Sequence, residues 1–205
     1  EDFGFQIWRG GRWLSRETTA YSELVAGHAG VGTTSANAVY AHNGITMNGI
    51  GSQAGGYQSA PARVLRVHRT ASFAYAATDL TGPYRAPTRP QNDNPAVSSI
   101  VREFVFVRPL ETMVVLDRVA SNAVGSTPAA NITKTFLTHF ENAPQVTSAN
   151  SVLGVNGTQA LRLITLAPAN RVYRVVNEAN NGGTAAIAQY RLEVETSGQA
   201  QSYLL

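Results

Sequence analysis

Two short stretches of the sequence place histidine where it could do chemistry. In the first, AHNG (residues 41–44) leads into the glycine-rich run 49–56. An imidazole and a carboxylate are ordinary zinc ligands. Glu17 lies 25 residues before His42, so His42 and Glu17 are candidate metal ligands. Because two ligands do not make a zinc site, the alternative is a structural histidine bonded to backbone at a strand end.

The second stretch, RVLRVHR (residues 63–69), could bind an anion. His68 lies in an alternating run and is flanked by Arg66 and Arg69. A guanidinium group pairs with a carboxylate or sulfate through two parallel hydrogen bonds. Arg66 and His68 are therefore candidate substrate-binding residues for an anionic ligand.

The overall charge indicates mild attraction to polyanions, with sulfated or uronic polysaccharides as plausible as nucleic acid. The chain has 16 Lys and Arg against 13 Asp and Glu, a net charge of +3, and Lys134 is its only lysine. Nucleic-acid-binding proteins concentrate basic residues on one face, whereas these arginines are scattered singly through apolar runs. Between these two kinds of polyanion, we expect an anionic polysaccharide and no nucleic-acid partner.

Other catalytic patterns are missing or weak. The sequence has no cysteine, no Gly-x-Ser-x-Gly elbow and no phosphate-binding loop followed by lysine. A carboxylate pair for glycoside hydrolysis would have to come from Glu103, Asp117, Glu193 and Glu195, which we predict to be solvent-facing charges on alternating strands. His139 ends an alternating run, which favours a structural ring.

Alternating hydrophobicity predicts an all-β protein. Nine segments have the period of two that is typical of strands: 3–9, 62–69, 71–77, 99–108, 112–119, 133–140, 160–166, 171–177 and 187–196. Only 15–27 has helical spacing, and its β-branched residues argue against a helix. We predict one domain over 1–205, an antiparallel β-sandwich with little helix.

Neither end of the sequence looks like a natural boundary. The chain opens on the strand-like run 3–9, without an initiator methionine, and stops within the apolar run 201–205. We therefore expect a part of a longer polypeptide. No apolar run approaches the roughly 20 residues of a membrane-spanning helix, so no membrane span is expected.

Three motifs in order resemble the C-terminal half of heparinase II/III-type polysaccharide lyases. They are DFGFQIWRGGRWLSRET, YAHNGITMNGIGSQAG and VREFVFVRPLETMVVLDRV, and the likeness covers roughly the first 140 residues. The matching positions are Phe5, Gly11, Trp13 and Leu14, then His42, Asn43, Gly44, Ile45, Gly49, Gly51 and Gln53, then Arg102, Phe106, Pro109, Asp117 and Arg118.

The resemblance implies a two-part enzyme that cleaves a uronate polysaccharide by β-elimination. A helical (α/α) toroid would lie upstream of Glu1 together with the catalytic residues, none of which map to this chain. His42 falls on a metal-ligand histidine of the family, and Glu17 falls on an acidic ligand that is more often aspartate. The resemblance thus implies a possible but incomplete zinc site and a secreted or periplasmic location. The alternative is a non-catalytic β-sandwich that binds polysaccharide or supports an assembly.

The isolated chain should accordingly be inactive. We expect no rise in the absorbance of unsaturated uronate product when purified 1–205 is mixed with alginate, heparin or heparan sulfate. Robust turnover by this chain alone would contradict the assignment of the catalytic residues to the upstream toroid.

Overall fold

Strands dominate the computed structural model, which describes residues 4–16, 39–52, 59–89, 93–178 and 189–205. Of these residues, 57% are in strands or bridges and 7% are helical. The helical residues form 3-10 turns of three residues each, such as Val39–Ala41 and Gly82–Tyr84. The prediction of an all-β protein with little helix is confirmed. The segment 15–27, which alone had helical spacing in the sequence, lies outside the described residues from Glu17 onward.

Fourteen strands are found in the described part of the chain. They are β1 (Ile7–Arg9), β2 (Arg12–Ser15), β3 (Ile45–Met47), β4 (Arg63–Arg69), β5 (Phe73–Asp79), β6 (Val97–Val107), β7 (Thr112–Ser121), β8 (Thr133–Phe140), β9 (Gln145–Ser148), β10 (Ser151–Asn156), β11 (Gln159–Ile164), β12 (Val172–Asn177), β13 (Tyr190–Ser197) and β14 (Ala200–Leu204).

The strands form antiparallel sheets that pack in layers. A five-stranded sheet has the order β14-β7-β6-β5-β4, and a four-stranded sheet has the order β12-β13-β8-β3. Two smaller sheets, β11-β10-β9 and β1-β2, complete the described part. One apolar cluster joins the layers through Ile100 and Val119 of the larger sheet and Phe136 and Val194 of the four-stranded sheet. Burial of such side chains, at about 25 cal/mol per Å², is the main favourable term in folding.

The alternation of side chains along β6 determines which residues lie on each face of the five-stranded sheet. The inner face of the five-stranded sheet carries Ile100, Arg102 and Phe104, which are opposite Val119, Asp117 and Val115 of β7. Successive strand residues point to opposite faces, so the residues between them lie on the outer face. This inner and outer division was predictable from the sequence, but the buried charge within the inner row was not.

The strands that sequence analysis missed are short or interrupted by small residues. β3 has three residues and β9 has four, too few for a pattern of alternation to stand out. β10 contains Gly154, and a Cβ there would lie 2.4 Å from Cδ1 of Phe140. The glycine therefore makes room for a core ring, although glycine weakens strand propensity.

Lys134, the only lysine, is fully buried on the inner face of β8. Its Nζ donates to Ser121 Oγ at 2.9 Å, to Ile132 O at 3.1 Å and to the carbonyl oxygen of Gly198. All three oxygens are uncharged, so no carboxylate among these partners offsets the loss of hydration. Desolvation lowers the pKa of Lys134 from 10.5 to about 8.

Stability should therefore rise with pH above neutrality. Because the folded pKa lies below the unfolded value, the unfolded chain binds the proton that the folded chain has released between about pH 8 and pH 10.5. Urea unfolding should show a gain of about 2 kcal/mol between roughly pH 7.5 and pH 9.5. The Lys134→Met variant should lack this gain. An equal gain in both proteins would contradict the assignment to Lys134.

Candidate functional site

The structure brings Arg66 and His68 together on an exposed edge strand. Strand β4 ends the five-stranded sheet, and all seven of its residues are exposed. Arg66 lies opposite Ala77 and His68 opposite Tyr75, so both point to the outer face of the sheet. The outer face is the one turned away from the core.

A β-bulge adds a second arginine to this row. The pairing of β4 with β5 shifts register between Val64 and Arg66, so Arg63 lies opposite Asp79. Arg63 and Arg66 are an odd number of residues apart and would face opposite sides of a regular strand. The extra residue of the bulge turns Arg63 to the same face as Arg66. Arg63, Arg66 and His68 therefore form one row on the outer face, called the outer row below. Sequence analysis missed Arg63 because nothing in the alternation marks a bulge.

Charge partners are unevenly distributed along the outer row. Arg63 Nη2 lies 3.2 Å from Asp79 Oδ2. Neither Arg66 nor His68 forms an ion pair with any residue that the structure describes. Arg69 is also exposed, but it lies opposite Ala74 and so points to the inner face. The outer row therefore presents cationic groups that an external anion could reach.

Aromatic rings accompany the cations. The rings of His68 and Phe73 are 5.6 Å apart between centroids. The Tyr75 hydroxyl donates to Glu103 Oε2 at 2.5 Å, and this hydrogen bond raises the pKa of Tyr75. Arg118 pairs with the other oxygen of Glu103. Since Glu103 is engaged by Tyr75 and Arg118, its negative charge is partly compensated beside the row.

His42 is buried, and its surroundings give limited support to a metal. The residue is 5% exposed and lines a small internal space with Val39, Tyr84 and Arg102. Zinc takes four ligands, and no cluster of three or more His, Asp or Glu residues that could hold an ion occurs in the described ranges. Glu17 lies outside those ranges. The described residues alone do not fit zinc, and the pair of His42 and Glu17 stays a prediction.

Asn43, beside His42, has a side chain with contacts to three other segments of the chain. Its Nδ2 donates to Phe5 O at 2.6 Å and to Ser15 Oγ at 2.7 Å. Its Oδ1 accepts the backbone N–H of His139 at 2.8 Å and lies 2.9 Å from Nδ1 of that ring. Sequence analysis identified Asn43 only as a position that matches the family motif, whereas its carboxamide acts like an additional peptide group just before β3.

A buried ion pair on the five-stranded sheet contacts the backbone of Asn43. Arg102 Nε and Nη2 donate to the two oxygens of Asp117 at 2.7 and 2.9 Å, and Nη1 donates to Asn43 O at 2.9 Å. Arg102 is 1% exposed and Asp117 is fully buried. The prediction that Asp117 faces solvent is therefore wrong. Its partner sits on the neighbouring strand, and only the register of the sheet reveals that the carboxylate points inward.

A second buried ionic cluster corrects the prediction for Glu193, which is 2% exposed. Glu193 accepts from Arg191 Nε at 2.9 Å and from Arg174 Nε at 2.7 Å. Arg191 also pairs with Glu178, and its guanidinium lies 5.1 Å from the centre of the Tyr40 ring. Two carboxylates thus balance two guanidinium groups. By contrast, Glu195 is exposed, as predicted, and Glu103 is partly buried.

His139 has the structural environment that its position predicts. The residue is fully buried, and its Nε2 lies 2.7 Å from Tyr40 O. Together with the contact to Asn43, this bond places both ring nitrogens against protein oxygens. The ring therefore joins β8 to the segment before β3 rather than facing a cleft.

The comparisons with known proteins identified no relative of this chain. No protein-family model matches the chain, and no curated protein is similar to it. In the described residues no helix is long and apolar enough to cross a membrane. The resemblance to heparinase II/III-type lyases therefore stays a prediction from the three sequence motifs.

Replacing Asn43 should be far more costly than replacing an exposed asparagine. Asn43→Ala would leave the buried hydroxyl oxygen of Ser15 and the buried N–H of His139 without this partner, at about 1–3 kcal/mol each. We expect chemical denaturation to show a loss of about 3 kcal/mol or more. Asn142→Ala, whose exposed side chain bonds only Val155 O among the described residues, should change stability by less than about 0.5 kcal/mol. Similar losses in both variants would contradict the role of Asn43.

Proposed function

We propose that this chain is the β-sandwich part of a polysaccharide lyase and that its outer row binds the anionic polysaccharide. The observation that carries the proposal is the bulge in β4, which aligns Arg63, Arg66 and His68 on one exposed face. Carboxylate or sulfate groups repeat along such a polymer, so a row of basic side chains along one strand can meet several of them. Guanidinium forks suit both groups.

The rings beside the row support a sugar polymer as the ligand. Phe73 and Tyr75 lie next to His68 on the same face of β5. Aromatic rings offer apolar surface to a ligand, and the tyrosine hydroxyl adds a polar end. A polysaccharide has both apolar ring faces and polar groups, and it therefore matches this mixture better than a simple inorganic anion does.

The packing of the three motifs supports the lyase class. Phe5 belongs to the first motif, Asn43 to the second, and Arg102 and Asp117 to the third. These residues are directly connected through hydrogen bonds of Asn43 and Arg102. Segments far apart in sequence thus act as one unit, which gives a physical reason for their joint occurrence. The catalytic asparagine and tyrosine would lie in the upstream toroid, and the catalytic histidine and the first metal histidine would lie in a His-x-His motif just before Glu1.

Matched arginines on one strand provide a sharp test of the binding surface. Calorimetric titration of the chain with alginate or heparin oligosaccharides at low salt should show saturable binding. Arg66→Ala should weaken binding by about fivefold or more, since its guanidinium group faces the polymer. Arg69→Ala removes a charge from the same strand but from the inner face, and it should weaken binding by less than about twofold.

Equal losses in the two variants would show that net charge, rather than the outer row, attracts the polymer. Absence of binding to any uronate or sulfated oligosaccharide would overturn the proposal. The lyase class has its own test, which is the sequence of the gene upstream of Glu1. A helical region with Asn-His and His-x-His motifs would support the lyase, and its absence would support the non-catalytic module.

A further inference from the structure

A cavity of about 510 Å³ lies on the inner side of the five-stranded sheet, away from the outer row. It is bounded by β1, by the end of the β6–β7 hairpin, by β8 and by β11. Most of its surface comes from apolar side chains, including Phe5, Ile7, Phe106, Met113, Leu161 and Leu163. Its volume is many times the roughly 30 Å³ share of one water molecule, so it has room for a small organic molecule.

One polar group at the bottom of the cavity lacks a partner. Thr138 of β8 lines the cavity and is 1% exposed. Its Oγ1 forms no hydrogen bond with any part of the protein that the structure describes. A buried hydroxyl without a partner is unfavourable. A ligand atom that hydrogen-bonds Thr138 would remove this penalty.

The rim shows how a molecule could enter. Trp8 is 59% exposed, and Arg162 is also exposed, yet both contribute to the lining. The cavity is thus open to solvent between β1 and β11. An indole at the mouth of an apolar cavity offers a flat surface for an entering ring.

We propose that this cavity is a binding site for a small, mainly apolar molecule that carries one hydroxyl or carbonyl group. The apolar body packs against Phe5, Met113 and Leu161, and the polar atom hydrogen-bonds Thr138 Oγ1. A mainly apolar cavity whose lining also includes polar residues, one of them the unpartnered Thr138, has the general character of a small-molecule site. The site does not depend on the polysaccharide surface, because it lies on the opposite face of the sheet.

The test uses naphthol and methylnaphthalene, which are similar in size and differ by a hydroxyl in place of a methyl group. Both should bind the wild-type chain saturably, and naphthol should bind about three- to tenfold more tightly because of the bond to Thr138. Thr138→Val keeps the side-chain shape and should abolish this preference. Thr78→Val is the matched control, because Thr78 is buried, has no hydrogen-bond partner for Oγ1 among the described residues and does not line the cavity.

Methyl NMR of the wild type gives a second readout that needs no variant. The chain has two methionines. Met113 lines the cavity, whereas Met47 is fully buried elsewhere in the core. Naphthol should shift the Met113 methyl signal and leave that of Met47 in place. Three results would each overturn the proposal: no saturable binding of either probe, an unchanged preference in Thr138→Val, or equal shifts of both methyl signals.

Discussion

The pairing of Arg102 with Asp117 is the interaction on which the rest of the structure depends. A bidentate ion pair with almost no solvent exposure is costly to desolvate, so it is retained only where further hydrogen bonds satisfy it. Here the third guanidinium contact goes to Asn43 O. Asn43 in turn bonds the first strand pair through Ser15 and the four-stranded sheet through His139. A single polar chain thus fixes the relative positions of three sheets.

This polar interior and the outer surface have different roles. In the interior, buried charged side chains form ion pairs with one another, as Arg191 does with Glu178 and Glu193. On the outer face, by contrast, Arg66 and His68 lie beside aromatic rings on an edge strand. An edge strand exposes unpaired backbone groups, and charged side chains guard it against pairing with other sheets. Under the proposed function, the same basic side chains that guard the β4 edge also bind the polyanion.

Sequence reasoning succeeded where a property is local and failed where it depends on register. Period-two alternation identified long strands such as β6 and β8, and the basic run around His68 named Arg66 and His68 as candidate binding residues. Sequence reasoning could not place Arg63 beside them, because a bulge leaves no mark in the pattern. It also took Asp117 for a surface charge. A carboxylate is expected to be exposed unless it has a buried partner, and the partner Arg102 is known only once the two strands are paired. The Thr138 cavity forms between strands distant in sequence, so no local pattern could indicate it.

The central claim is that Arg102 and Asp117 hold the Asn43 segment against the four-stranded sheet. Native-state hydrogen exchange at the His139 amide, which donates to Asn43 Oδ1, tests it most directly. The apolar double variant Arg102→Met with Asp117→Leu avoids leaving one buried charge unpaired, so the fold should be retained. The account predicts that protection of the His139 amide falls by about tenfold or more relative to the Leu192 amide in the adjoining strand. Unchanged protection of His139 relative to Leu192 would contradict it.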